Sequence, residues 1–192
     1  MSKSDPSASK KERNKQIRWV ILIFVVTIFI SAVISFASEE LMERSSVAVA
    51  FIILAAIILV GILFDIVGVA VTSADEKPFH SMAARKVAGS QEAIKLLRNA
   101  ERVSSICNDV IGDICGVVSG SAAATIAVQA FASGDEIAWP QLLMSALVAG
   151  FTVGGKAIGK TVAIGSCTEI VHAVGKISWF FGHIPELFRK EK

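Results

Sequence analysis

The 192-residue chain is 53% apolar, has a mean hydropathy of +0.62, and carries 19 basic and 17 acidic residues for a formal charge of +2. Its charged share, 19%, is below the ~25% of ordinary soluble domains, and residues 19–38, 45–64, 66–74, 114–134 and 137–155 hold no Asp, Glu, Lys or Arg. Uncharged runs of this length suit the ~30 Å hydrocarbon layer of a bilayer; they exclude a soluble globule, a coiled coil and a disordered tail, and predict an all-α polytopic membrane protein.

Residues 1–18, with six Lys/Arg and two acids, read as a solvated basic arm on the cytoplasmic side whose role is to set topology. Residues 19–37 follow as an apolar run without a helix breaker. Nineteen residues exceed the ~7–15 of a signal-peptide core, so this run reads as a retained span. The next span covers 45–74 and is interrupted only by Asp65. It is longer than one crossing needs, which predicts a tilt, a break near Gly61 or Gly68, or emergence from the bilayer as helix. Within 77–102, Met82, Val87, Ala93, Ile94 and Leu97 alternate with Arg85, Lys86, Lys95 and Arg98, with a break at Gly89-Ser90. That pattern predicts two short amphipathic belt helices lying along the membrane face. Further spans are expected over about 104–132 and 140–163. Residues 164–192 place Ile170, Val174, Ile177 and Phe181 at helical steps opposite Glu169, His172 and Lys176, an interfacial amphipathic helix kinked or ended at Pro185.

Loop charge orients the four spans. The arm (net +4), the 75–102 segment (net +2) and the tail from Lys156 (net +3) are basic, whereas Glu39, Glu40, Glu43 with Arg44, and Asp135 with Glu136, are net −2 each. Basic loops stay in the cytoplasm, so both termini are expected there, in a multi-pass protein of the cell membrane. Trp19, Trp139 and Trp179 fall at the expected interfaces, where indole rings prefer to sit.

Cys107, Cys115 and Cys167 show no CxxC spacing, and His80, His172 and His183 are scattered, so neither a disulfide framework nor a zinc site follows. Residues 154–161, GGKAIGKT, fit the Walker A pattern GxxxxGK[ST]. A P-loop needs a strand leading into the glycines and a helix leaving them, and this stretch instead continues an apolar run of spanning length. Small residues there serve close helix approach. Nucleotide binding is not expected, nor are a nucleic-acid partner, an organic cofactor or an enzymatic activity.

Polar groups inside the spans are the informative ones, because a charge at the bilayer centre costs about 2.5–3.5 kcal/mol on insertion scales. Asp65 lies in the second span; Asn108, Asp109 and Asp113 lie in the third, with Asp109 and Asp113 four apart on one face. Lys156 approaches from the fourth. Carboxylates, an amide and glycine-exposed carbonyls make a hard oxygen site suited to Mg²⁺. The plainer reading has Asp109 and Asp113 hydrated near the cytoplasm, with Lys156 and Lys160 snorkelling to headgroups.

Three stretches together resemble the transmembrane domain of the CorC/cyclin-M (CNNM) family of magnesium and cobalt transport or efflux proteins, over residues 45–163. FDIVGVAVTS at 64–73 is similar to the family's F-S-G-S-E-T-A-L-T-S. NAER at 99–102, then Ile111-Gly112-Asp113, is similar to N-P-E-R followed by I-G-N-N, with two extra residues between. GKAIGKTVA at 155–163 is similar to G-E-I-L-P-K-T-L-A. The resemblance implies a cation site to which Asp65, Asn108, Asp113 and Gly155 contribute. The chain departs from the pattern at Val67-Gly68, where the family has Ser-Glu, at Gly159, where it has Pro, and at Lys156, where it has Glu. It also has the additional span 19–37, and is expected to work without the CBS domains that often follow in the family.

Two functions are therefore expected to compete. One is a homodimeric transporter or exporter of Mg²⁺ or Co²⁺ without CBS regulation. The other is a structural or accessory membrane protein in which Lys156, as an ion-pair or gating residue, answers Asp113 or Asp65 in place of a bound cation.

Overall fold

The computed structural model describes residues 6–131 and 138–189, and among these the regular elements are all helical. They are α1 (Pro6–Glu43), α2 (Val47–Ser73), α3 (Lys77–Ala84), α4 (Ser90–Arg98), α5 (Ala100–Ser105), a π-helical stretch (Ile106–Gly112), α6 (Asp113–Phe131), α7 (Ala138–Gly165) and α8 (Cys167–Arg189). Four stretches are long and apolar enough to cross a bilayer: Gln16–Met42, Val47–Ser73, Ala100–Ala130 and Trp139–Gly165. The chain is an all-α polytopic membrane protein.

Its core is the trio α2, α6 and α7, with α1 leaning mainly on α6. The third span is the central one: 56% of its most apolar window is buried, against none of that of α1. At one end, Met42, Ala50, Leu54, Ala122, Ala123, Ile126 and Val148 pack together, and the Gln129 amide donates to the Met42 carbonyl at 3.2 Å. At the other, Ala70 and Val71 of α2 meet Phe79, Ala93, Leu97, Ala163 and Val171. Asp65 lies on α2 between these two apolar clusters.

The helices extend beyond the runs read from the sequence. Residues 6–18 of the basic arm are helical and continuous with α1; once the apolar span has nucleated a helix, each added residue gains a hydrogen bond, and Lys, Arg and Glu propagate it well. The same helix runs past Glu39 and Glu40 to Glu43, and Arg44 pairs with Glu40. Helix α2 continues unbroken through Gly61 and Gly68, so of the three courses expected of the long second span the break is excluded, and tilt or emergence as helix stand. Helix α8 passes through Pro185 to Arg189 rather than ending there, forfeiting the one hydrogen bond that a missing N–H removes. Asp135 and Glu136, residues 1–5 and residues 190–192 lie outside the described residues.

The belt also differs in what it covers. Ala93 and Leu97 of α4 face α2 and α8, not lipid, so the amphipathic pattern of 77–102 has a partner within the protein. The chain turns between α3 and α4 through Lys86 at φ 57° and Gly89 at φ 82°. A β-carbon at Gly89 would stand 2.5 Å from the Lys176 nitrogen, and one at Gly175 would stand 2.5 Å from the Gly89 carbonyl oxygen. Two glycines thus let α4 and α8 meet backbone to backbone. Beyond this crossing Ile177, Phe180 and Phe181 of α8 are exposed, leaving that half of the helix an apolar face for the membrane.

Candidate ion site at the π-helical turn

On α2, Gly61, Asp65 and Gly68 stand four and three residues apart, and so share one face. The small flanking residues allow the third span to approach closely. A β-carbon at Gly61 would come 2.8 Å from Cys115 Cβ, and one at Gly68 would collide with the Asn108 side-chain amide. Asp65 is thereby enclosed, 5% exposed.

The third span is π-helical from Ile106 to Gly112. A π-helical turn lengthens the hydrogen-bond register from i→i+4 to i→i+5, widening the helix locally, and such turns occur frequently at functional sites. Here the Gly112 carbonyl accepts a hydrogen bond from Lys156 Nζ at 3.2 Å. Lys156 comes from α7, held between Gly155 and Gly159, which lie directly against Ile62 and Ile66 of α2.

Its ammonium sits 3.7 Å from Asp65 Oδ1 and 3.8 Å from Asp113 Oδ1. The two pairs differ in kind. The Asp113 side chain is 72% exposed, so its attraction is screened by solvent. Asp65 and Lys156 are shielded, with side-chain exposures of 7% and 19%, and neither charge is replaceable without stranding the other. Asp65 Oδ2 and Asn108 Oδ1 are buried and have no hydrogen-bond partner. The Asn108 amide nitrogen donates to Ser104 Oγ at 3.2 Å.

Of the residues singled out from the sequence, Asp65 and Asp113 are joined through Lys156. Asn108 faces the same seam one turn away, against Gly68. Gly155 is found in packing contact with Ile62. Asp109 is exposed and accepts from Ser105 Oγ at 2.8 Å, and Asp113 and Lys160 are exposed too. Gly112, Ser104 and the Gly68 contact escaped the sequence reading. The signal available for them was a glycine three residues after one carboxylate and another immediately before the next.

Chemically, two carboxylates and one main-chain carbonyl surround a tethered ammonium, and one unpartnered amide oxygen lies on the same seam against Gly68. No group of three or more His, Cys, Asp or Glu residues among the described residues is placed to hold a metal ion. Residues 154–161 lie inside α7, where backbone N–H groups are engaged along the helix and cannot wrap phosphates. No family model matches the chain, and no curated protein or solved structure matches it either.

Proposed function

We propose that this protein moves a divalent cation, of the Mg²⁺ or Co²⁺ class, across the cell membrane in the manner of the CorC/CNNM proteins it resembles, with both termini cytoplasmic. One observation carries the proposal: inside a membrane span, Asp65 is answered on one oxygen only, and its other oxygen is buried with no partner. A purely structural ion pair would balance one carboxylate with one ammonium and satisfy the remaining acceptors, since an unpaired buried acceptor costs about 1–3 kcal/mol. Here two carboxylates share one ammonium, and an amide oxygen on the same seam is unpaired as well. That surplus of acceptors supports a second cation visiting the site as cargo.

In this reading Lys156 is the gate. Its ammonium stands where a cation would be drawn, and its flexible four-carbon stem lets it withdraw. A cation arriving at Asp65 Oδ2 meets repulsion from the ammonium already on Oδ1, so withdrawal of Lys156 favours entry and its return favours release.

A second reading is favoured by the same lysine. Its simultaneous approach to Asp65, Asp113 and the Gly112 carbonyl makes a self-contained clasp joining α2, the third span and α7, as an accessory or structural membrane protein would have it. Flux measurement in liposomes separates the two. The transporter reading expects Mg²⁺ or Co²⁺ flux in the wild type, its loss in Asp65→Asn, and altered flux in Asp113→Asn and Lys156→Glu. Absence of flux in all four proteins overturns transport and leaves the clasp.

A further inference from the structure

Away from the ion site, a groove of about 540 Å³ opens between α1 and the start of the third span, lined by Arg18, Trp19, Ile21, Leu22, Val25 and Arg102. Arg18 and Trp19 stand near the head of the span Gln16–Met42, and Arg102 near the head of the span Ala100–Ala130. Both guanidiniums are therefore at one membrane–water boundary, while Ile21, Leu22 and Val25 continue from them into the apolar zone. The Arg102 guanidinium lies 5.3 Å over the Trp19 ring, a cation–π contact that fixes it at the mouth of the groove. Both arginines are exposed, and among the described residues neither has a carboxylate within ion-pair distance.

We infer that this groove binds an anionic glycerophospholipid, its phosphate held between Arg18 and Arg102 and an acyl chain laid along Ile21, Leu22 and Val25. The charge pattern selects the occupant. Guanidinium forks match phosphate oxygens, two of them at one mouth demand a net negative headgroup, and the apolar floor is of use only to a ligand with a hydrocarbon tail. A zwitterionic lipid would bring its own ammonium against the arginines. The lipid would bridge α1 to the bundle at a point where α1 buries little of its own surface.

The test uses the full chain in lipid nanodiscs, with Trp139→Phe and Trp179→Phe leaving Trp19 as the sole indole of the three. Trp19 quenching by brominated phosphatidylglycerol is compared with quenching by brominated phosphatidylcholine. Half-quenching is expected at an about thirtyfold lower mole fraction for the anionic lipid, the preference that two basic groups at about 1 kcal/mol each confer near a membrane surface. Arg18→Gln/Arg102→Gln should abolish the preference. Lys77→Gln/Lys86→Gln, which removes the same charge from exposed positions elsewhere, should retain it. Soluble glycerol phosphate should leave quenching unchanged. Equal quenching by the two lipids in the protein with both arginines overturns the inference. So does loss of preference in the lysine variant to the same extent, which reveals a general charge effect. Displacement by glycerol phosphate overturns it as well, by revealing a soluble-phosphate site.

Discussion

The amide oxygen of Asn108 occupies the space that a side chain at residue 68 would need, so Gly68 and Asn108 fit only as a pair. Gly68→Ala must drive Asn108 off the seam or push the third span away from α2. Overpacking of this kind costs about 1–3 kcal/mol, and the penalty should appear as a lower unfolding midpoint in detergent. Gly68→Ala/Asn108→Ala removes the collision and should recover most of that stability. If Asn108 also serves the cation, the double variant will be stable yet impaired in flux.

The Lys156 ammonium makes one buried and one exposed ion pair, and these should behave differently on mutation. Lys156→Met strands Asp65 in an apolar seam, at a cost on the order of 3–5 kcal/mol for breaking a buried pair. Asp65→Asn/Lys156→Met removes both charges and should be markedly more stable than Lys156→Met alone. Asp113→Asn should change stability by no more than about 1 kcal/mol, because that carboxylate is largely in solvent. Reversible unfolding of the four proteins in mixed micelles reads all three expectations.

The glycine contact between α4 and α8 makes a third prediction. A methyl group at residue 175 meets the Gly89 carbonyl and Ala93, main chain and a β-carbon that have no rotamer to yield. Gly175→Ala should loosen α4 from α8 at a cost of about 1–3 kcal/mol. Hydrogen exchange should rise over Ser90–Arg98 and the first turns of α8 and stay unchanged in α6, since local openings follow cooperative units. Uniform acceleration across all spans would mean that this contact holds the whole bundle.

The four spans were legible in the sequence because lipid imposes a length and a charge rule that composition alone reveals. Asp65 and Lys156 were legible too, since an ionised group enclosed in a span is costly unless it is answered, whereas the exposure of Asp113 was not to be read from its place in the run. The π-helical turn was not: ICNDVIG is built of weak helix formers, which lowers α-helix propensity without distinguishing a π-helical turn from a bend or a frayed end, whereas in the fold this turn sets Asn108 against Gly68 and Gly112 beside Asp65. The belt misled for a related reason. An amphipathic face such as Ala93 and Leu97 is written the same way whether lipid or another helix covers it, and the deciding residues, Gly89 and Gly175, are 86 positions apart in sequence.

The proposed orientation has its own test, independent of transport. Arg44, between α1 and α2, and Arg85, between α3 and α4, are both exposed and lie at opposite ends of α2. Cys107 and Cys115 are buried and Cys167 is half-buried, so a Cys167→Ser background leaves little native thiol to react. In intact cells, a membrane-impermeant maleimide should label Arg44→Cys and spare Arg85→Cys; after permeabilisation both should react. Basic segments are retained in the cytoplasm, and 75–102 is net positive while the Arg44 connection is net negative, which is why the two sites should differ. Labelling of Arg85→Cys from outside would invert the protein. It would also place the Arg18 and Arg102 groove in the outer leaflet, where a different set of anionic lipids would have to fill it.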